Sequence, residues 1–353
     1  MGGLLRRRIL LIAPRFFGYD NDIANELKNC GAHVDFIPDR PFETPFMKAI
    51  TRFKREWMIR AADRLYRRLL EGFGCGHYDY VLVINGQTLS STILSELRVA
   101  YPQAKFILYM WDSMENRKSV QDNLGYFDEC FSFDPRTASI WNMKFRPLFF
   151  SEGFERPAAV TPTYDISFVG TAHTDRYSVV SSLDRQLQKN ITRFWYLYLQ
   201  APWVFYVYRA TNETFRGAKI NEFKFAPLSK SDVQKVFFQS RAILDIEHPK
   251  QTGLTMRTFE TLGASKKLVT TNAQVRDYDF YNPANIHIID RANAEVPEEF
   301  LSTPYEPIAP ELYAKYRLAG WVDEILDLHP AIPSGLREGV LGSELLPDFG
   351  PRG

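Results

Sequence analysis

The segment AILDIEHPKQTGLTMRTFETLGASKKLVTTN, from Ala242 to Asn272, decides the fold of this 353-residue chain. Its apolar start at 242–246 predicts a strand, the stretch Leu254–Leu262 predicts a helix, and Lys267–Thr270 predicts a second strand. A strand, a helix and a strand in this order form a unit with two parallel strands. The segment therefore predicts an α/β domain.

The loop before this helix is a candidate anion site. The first N–H groups of a helix have no acceptor within it and the helix dipole is positive there, so the loop around Gly253 suits a phosphate. Arg257 and Glu260 lie three residues apart on the helix and suit a phosphate and ribose hydroxyls. The alternative is a surface ion pair worth about 0.2–0.5 kcal/mol. Three more residues of the loop are predicted to bind the same ligand: Lys250, Thr252 and Thr255.

A second loop of this kind follows the strand Asp165–Val169. Gly170 lets the backbone approach an anion, and Arg176 would neutralise it, with Thr171 beside them. The alternative is that Thr171 or Thr174 caps the next helix. The loop lacks the three spaced glycines of a dinucleotide site, which disfavours an NAD enzyme.

The elements of the chain fall into two similar α/β series. The first series has strands at 8–13, 32–37, 80–84 and 105–109 with helices between them, and the second begins at 165. A segment rich in Pro and Thr separates the two series. We therefore predict a Rossmann-like domain at 1–150, a linker at 151–164, a second Rossmann-like domain at 165–329 and an irregular tail at 330–353.

Carboxylates follow the strands of the first domain. Asp112 lies just after the strand Lys105–Tyr109, at the edge where open α/β sheets bind ligands, so it suits a general base. Asp20 and Asp134 come after other strands, and either Asp112 or Asp134 could instead cap a helix or turn. His248 in the second domain is a further catalytic candidate, although a single loop histidine is often incidental.

Composition excludes several classes of function. Lys and Arg number 43 against 42 Asp and Glu, so net charge does not indicate a nucleic-acid-binding protein. No apolar run reaches the ~18 residues of a membrane span, and we expect no signal peptide. The 3 cysteines fit neither a disulfide framework nor a metal site, so we expect a reducing, cytoplasmic location. No metal-ligand spacing is present, and we expect neither a metal nor another cofactor.

The predicted helix at 47–71 has an apolar stripe and a strongly basic opposite face. Its basic residues are Lys48, Arg52, Lys54, Arg55, Arg60, Arg64, Arg67 and Arg68. Such a face suits peripheral contact with an anionic membrane. The alternative is a solvated helix face whose apolar stripe packs on the first domain.

The sequence resembles the CgeB-like glycosyltransferases, which are related to spore-coat maturation and to capsule or lipopolysaccharide biosynthesis. The resemblance lies in Arg257, Glu260 and Gly263 followed by Thr271–Asn272, and it extends to three further stretches: Asp165–Gly170, Tyr109–Asp112 and Phe131–Asp134. It implies an α/β GT-B fold, with two Rossmann-like domains facing a cleft. It also implies a sugar-nucleotide donor held by the C-terminal domain.

The resulting hypothesis is a metal-independent glycosyltransferase that acts on a glycan or lipid-linked acceptor. Arg176, Arg257, Lys250 and the helix start near Gly253 would stabilise the leaving diphosphate. Retaining relatives carry two glutamates seven residues apart, and only Glu260 of that pair is present, so the stereochemistry stays open. The alternatives are a non-catalytic sugar-nucleotide or glycan-binding protein and a nucleoside-diphosphate-sugar epimerase.

Overall fold

The structure of the protein is a computed structural model that describes residues 3–39, 55–74, 76–112, 114, 118–155, 160–249 and 251–328. Lys250, the predicted tail at 330–353 and the beginning of the predicted basic helix lie outside these residues.

The first domain is built on a parallel sheet of six strands. In chain order its elements are β1 (Arg8–Ala13), α1 (Tyr19–Asn29), β2 (His33–Pro38), α2 (Arg55–Phe73), β3 (Tyr80–Ile84), α3 (Ser91–Ala100), β4 (Lys105–Met110), α4 (Lys118–Gln121), β5 (Glu129–Ser132), α5 (Pro135–Ile140) and β6 (Lys144–Phe145). The strand order is β2-β1-β3-β4-β5-β6. The chain therefore reverses its direction of winding between β1 and β3, where α/β sheets form a ligand crevice.

The second domain repeats this plan. Its elements are β7 (Tyr164–Thr171), α6 (Arg176–Gln186), β8 (Arg193–Tyr198), α7 (Pro202–Thr211), β9 (Phe223–Lys224), α8 (Lys230–Phe238), β10 (Ser240–Asp245), α9 (Met256–Gly263), β11 (Lys267–Thr270), β12 (Ile286–Ile288), α10 (Glu298–Ser302), α11 (Pro310–Tyr316) and α12 (Leu318–Ile325). The strand order is β12-β11-β10-β7-β8-β9. Here the crevice lies between β7 and β10.

The central strands are apolar because helices cover both faces of each sheet. Residues Ile9–Ala13 of β1 and Ala242–Leu244 of β10 are completely buried. The strands end where the apolar runs end, and the polar residues that follow lie at the carboxyl edges of the sheets. The two-domain α/β prediction is confirmed by the two parallel sheets.

Helix α12 returns from the second domain to the first. Its Trp321 is fully buried, with its ring 4.8 Å from that of Tyr109 on β4 and 4.9 Å from that of Phe149. Arg146, also fully buried, forms an ion pair of 2.7 Å with Glu324 of the same helix. The last described helix thus packs on the first sheet, although it follows the second in sequence.

Candidate functional site

Two arginines meet at the carboxyl edge of the second sheet. The guanidinium of Arg176, at the start of α6, donates from Nε to the carbonyl of Ile246 at 2.8 Å and from Nη1 to Oγ1 of Thr171 at 3.0 Å. Arg257, on the first turn of α9, lies 5.9 Å from the ring centre of Phe168. Its Nε is buried and has no hydrogen-bond partner among the described residues. The Arg257 guanidinium therefore has N–H donors left for a ligand.

Gly170 makes room for this arrangement. A Cβ atom at residue 170 would lie 2.8 Å from Cζ of Phe168 and 3.5 Å from Nη1 of Arg257. Any larger residue would press on the ring beside the arginine. Packing against Phe168 therefore also explains a glycine at position 170, in addition to its predicted role of letting the backbone approach a ligand.

The positive charges in this corner repel one another. Burial, and then the nearby charge of Arg257, lower the pKa of Arg176 to about 10. Burial, and then the charges of Arg176 and His248, lower the pKa of His173 to about 4. In the part of the chain described, neither Arg176 nor Arg257 forms an ion pair. The carboxylates of Asp245, Asp175 and Glu247 are near enough to raise the pKa of Arg176, but none of them contacts either arginine in an ion pair. Two arginines without a contacting carboxylate are what an anionic ligand would stabilise.

The neighbouring carboxylates are occupied by other partners. Arg291 pairs with Asp175 at 2.7 Å and with Glu247 at 2.5 Å. Asp245, at the end of β10, accepts hydrogen bonds from Oγ1 of Thr255 at 2.7 Å and of Thr258 at 2.9 Å. The acids therefore organise the loops around the cleft and leave the two arginines for a ligand.

Glu260 faces the first domain and is only 2 % exposed. Its Oε1 accepts a hydrogen bond of 2.5 Å from the hydroxyl of Tyr19, the first residue of α1. Burial raises the pKa of Glu260, while the Tyr19 hydrogen bond and the charges of Arg257 and Lys230 oppose that rise. The Glu260 carboxylate, which was predicted to accept hydrogen bonds from ribose hydroxyls, thus already accepts one from the Tyr19 hydroxyl on the opposite side of the cleft.

The Gly253 loop differs from the sequence expectation. The N–H of Gly253 was expected to face a phosphate, but it donates to Oδ2 of Asp134 at 2.6 Å, and the Thr252 hydroxyl donates to the same oxygen. A Cβ atom at residue 253 would lie 2.7 Å from Cε2 of Phe133, so the first domain approaches this loop closely. The free backbone donors expected at Gly253 are therefore occupied by a carboxylate, which itself is an anion.

Asp134 has a second, local partner. It is the N-cap of α5 and accepts a hydrogen bond of 2.7 Å from the N–H of Thr137, as its capping alternative predicted. Burial alone would raise its pKa, but the hydrogen bonds from Thr252, Thr137 and Gly253 hold that pKa below its usual value. Asp134 therefore joins the two domains as a carboxylate and has little capacity left to act as a base.

The two other carboxylates of the first domain differ in environment. Asp20 lies in the first turn of α1, not in the loop expected from sequence, and is 5 % exposed. It accepts no hydrogen bond from any described residue. Asp112 follows β4 directly, is half-buried and has a polar partner. Of these two residues, Asp20 is thus the one whose carboxylate is free to accept a hydrogen bond from a ligand.

The remaining predicted residues lie around the same edge. The hydroxyl of Thr171 accepts from Arg176 and that of Thr174 donates to the carbonyl of His173, so neither caps α6, and that alternative is wrong. His248 is exposed and near enough to His173 to lower its pKa.

Sequence reasoning missed several residues of the cleft. These are Tyr19, His173, Asp245 and Arg291. His173 lies in the loop between Gly170 and Arg176, which the sequence analysis singled out, and Asp245 lies at the end of a predicted strand. The position of each residue in the sequence could therefore have indicated it. Tyr19 and Arg291 carried none, since each acts on a residue far away in sequence.

Comparison with known proteins identifies the fold. No protein-family model and no curated protein sequence matches the chain. Solved structures do match: HepE of Anabaena in complex with UDP-glucose covers 91 % of this chain and 98 % of its own, with a TM-score of 0.55 and 8 % identity. UDP-GlcNAc 2-epimerase from Neisseria meningitidis, bound to UDP-GlcNAc, covers 91 % of this chain and 100 % of its own, with a TM-score of 0.50 and 10 % identity.

The chain has the GT-B fold. HepE in complex with UDP and glucose gives the same result, with a TM-score of 0.52 and 8 % identity over 92 % of this chain and 97 % of its own. At such identities the likeness establishes architecture, and activity has to be argued from the site. Among the described residues, no helix is both long and apolar enough to cross a bilayer.

Proposed function

We propose that the protein is a glycosyltransferase that uses a nucleotide-sugar donor, as the resemblance to the CgeB-like enzymes implies. The observation that carries the proposal is the arginine pair Arg176–Arg257, which forms no ion pair with any described carboxylate and lies at the crevice between β7 and β10. The ligands of the structural neighbours agree with it, because HepE and the epimerase were crystallised with UDP or UDP-sugars.

The arginine pair would bind the diphosphate of the donor. Each guanidinium presents several N–H donors, and the positive end of the α9 dipole adds to their field. When the bond from the sugar to the diphosphate breaks, negative charge grows on the leaving oxygen, and these fixed positive charges stabilise it. The proposed reaction is therefore metal-independent and needs no other cofactor. Lys250, three residues before Gly253 in the sequence, remains a proposed diphosphate contact.

Glu260 would bind the ribose of the donor. Its carboxylate already accepts a hydroxyl hydrogen bond from Tyr19, so its acceptor geometry suits an alcohol. A ribose hydroxyl could replace the phenol, and donor binding would then separate Tyr19 from Glu260. Thr252 and Thr255 would orient the loop through Asp134 and Asp245.

A carboxylate of the first domain would remove the proton from the acceptor hydroxyl. Asp112 was expected from its place after β4, and Asp20, whose carboxylate accepts no hydrogen bond from any described residue, is the stronger candidate. A base needs free acceptor capacity within hydrogen-bond reach of the acceptor. His248, exposed beside the arginine corner, is the third candidate. The acceptor is proposed to be a glycan or a lipid-linked sugar.

The fold similarity to an epimerase supports a second candidate, a nucleoside-diphosphate-sugar epimerase. The third is a protein that binds a sugar nucleotide without turning it over. Incubation of the purified protein with UDP-sugars separates them. A transferase forms a new glycoside only with an acceptor, an epimerase alters the sugar without one, and a binding protein does neither.

The first experiment is a thermal-shift screen of nucleoside diphosphates. A ligand at about 100 times its dissociation constant stabilises the fold by roughly 2.7 kcal/mol. We expect UDP to raise the melting temperature of the wild type and to lose most of that effect in Arg257→Ala. Arg216→Ala is the matched control, because Arg216 is on the surface of the same domain. Equal responses in all three proteins would contradict the proposed donor site.

We further propose a cytoplasmic location with peripheral membrane contact through α2. The apolar side of α2 packs on the first domain through Ala62 and Tyr66, as the alternative interpretation required. Its other side exposes four arginines, Arg60, Arg64, Arg67 and Arg68. Asp63 is turned inward to accept from Ser90, and among the described residues only Arg67 of these four has a carboxylate partner, Glu96. The exposed face is thus more basic than its composition indicates, which supports attraction to anionic lipid.

A further inference from the structure

Helix α7 of the second domain carries an exposed aromatic stripe. Trp203, Tyr206 and Val207 are 66 %, 59 % and 45 % exposed. They are spaced by three and four residues, so their side chains share one face of the helix. A tryptophan and a tyrosine exposed on one helix face form a concentrated apolar surface.

The stripe is not a loosely packed part of the core. The opposite face of α7 is anchored by Val204 and Phe205, which are buried, and by Tyr208, whose ring lies 5.2 Å from that of Phe215. The helix is therefore fixed on the second domain with its aromatic face outward. No carboxylate occurs between Pro202 and Thr211.

One cation lies beside the stripe on the same helix. Arg209, three residues after Tyr206, is exposed and forms no ion pair with any described residue. The first acid after the helix, Glu213, pairs with Arg216 at 2.9 Å. The stripe is thus bordered by an arginine that no described carboxylate neutralises.

We propose that α7 docks on an anionic lipid bilayer, with Trp203 and Tyr206 at the headgroup level and Val207 toward the acyl chains. Trp and Tyr suit this interface because each ring is apolar and carries one polar group, and the bordering Arg209 matches the charge of acidic lipid. A symmetric contact between two copies of the chain fits less well, because it would bring the Arg209 side chains of both copies toward each other. This contact is independent of the donor site and lies on a different domain from α2.

The test is flotation of the full chain with vesicles of phosphatidylcholine containing phosphatidylglycerol. The triple variant Trp203→Ser, Tyr206→Ser, Val207→Ser is expected to bind at least about tenfold more weakly than the wild type, because it loses the apolar surface that would leave water. The matched control is Val99→Ser with Ile140→Ser, which removes two apolar side chains that are 82 % and 64 % exposed on the first domain. The control is expected to bind as the wild type does.

Two further measurements separate this docking from the alternatives. Vesicles should shift the tryptophan fluorescence of the wild type to shorter wavelength, and Trp203→Phe should lose that shift while α2 stays intact. The thermal response to UDP should be equal in the wild type and the triple variant, which checks folding and keeps the donor site a separate question.

Three outcomes would overturn the proposal. The first is absence of wild-type binding to anionic vesicles at low salt, and the second is equal binding by the triple variant. The third is a wild-type dimer in solution that the triple variant converts to a monomer without any change in vesicle binding, which would assign the stripe to a second copy of the chain.

Discussion

The hydroxyl of Tyr19 donates a hydrogen bond of 2.5 Å to the carboxylate of Glu260, across the cleft and 241 residues away in sequence. Lys230 supports this contact, because its Nζ lies 4.9 Å from the Tyr19 ring centre and forms an ion pair with Asp22 of α1. Together with the hydrogen bond from Gly253 to Asp134, it holds the two domains against each other. If the donor binds Glu260 as proposed, its binding would compete with a contact between the domains.

Tyr19→Phe should remove this competition. We expect tighter UDP binding by the variant, measured by calorimetry, together with a loss of about 1–3 kcal/mol in the free energy of unfolding, since Glu260 is left buried without its donor. Tyr196→Phe is the control, because the Tyr196 hydroxyl bonds to the exposed carbonyl of Ala226. Weaker UDP binding by Tyr19→Phe would mean that Tyr19 assists the donor instead of competing with it.

Glu260→Gln should change the pH dependence of stability. Burial raises the folded-state pKa of Glu260 above its ordinary value of 4.5, so the folded protein binds this proton more tightly than the unfolded chain does. The wild type should thus gain stability relative to Glu260→Gln as pH falls from neutrality through the raised pKa toward 4.5. Urea unfolding at a series of pH values measures this, and a constant difference between the two proteins would contradict it.

Arg257→Ala should weaken donor binding more than it affects the fold. Loss of a hydrogen bond to a charged group costs about 1.5–3 kcal/mol, or roughly tenfold to a hundredfold in the dissociation constant. Arg176→Ala should show a similar loss and also reduce stability, because Arg176 bonds to Ile246 and Thr171. Titration calorimetry with UDP checks both, and unchanged affinity in both variants would refute the diphosphate assignment.

His173 should report the arrival of an anion. Its pKa is about 4 because of burial and the charges of Arg176 and His248, so it is neutral at pH 7. A diphosphate between the arginines would offset their charge and raise this pKa. We expect the His173 proton resonance, assigned with His173→Gln, to titrate at higher pH with UDP than without it.

The same residue makes stability depend on pH. A histidine whose folded-state pKa is depressed stabilises the fold fully above its unfolded pKa, and this contribution is lost as pH falls toward the folded value. The window runs from 6.5 down to about 4. His173→Gln should flatten the stability profile in this window, measured by urea unfolding at a series of pH values.

Exchange of the candidate bases should identify the proton acceptor. Asp20→Asn is expected to lower turnover by about 10²–10⁴-fold, the usual contribution of a general base, with little effect on donor affinity. Asp112→Asn should have a smaller effect because Asp112 has a partner on the protein. The assay is glycosyl transfer at saturating donor, and full turnover by Asp20→Asn with loss in Asp112→Asn would reverse the assignment.

Neutralisation of the basic face of α2 should weaken binding to anionic vesicles. The variant with Arg60, Arg64, Arg67 and Arg68 changed to Gln is expected to lose about 1 kcal/mol per residue near the surface, and wild-type binding should fall with added salt. Sedimentation with vesicles measures this. If vesicle binding is unaffected by salt and by the four substitutions, the basic face of α2 is an ordinary solvent-exposed helix face and not a membrane contact.

The sequence by itself determined the central strands of the two sheets and predicted the edge on which the proposed site lies. Strands such as β1 and β10 are apolar runs because both of their faces are buried, and that pattern is local. The residues directly after such strands must lie at the carboxyl edge, which is how Gly170, Arg176 and Arg257 could be found without coordinates. No element was predicted at 191–210, where aromatic residues obscure both the strand and the helix period, and β8 and α7 lie there.

Only the tertiary structure decided what the site residues contact. The partners Tyr19 and Glu260, Asp134 and Gly253, and Arg291 and Glu247 are each far apart in sequence. These pairs depend on how the two sheets face each other and on the path of the loops between strands. Periodicity reports which side of an element is buried, and it carries no information on which distant side chain meets it there. For that reason the sequence predicted an anion site, whereas the structure showed which of the predicted donors and acceptors already have partners on the protein.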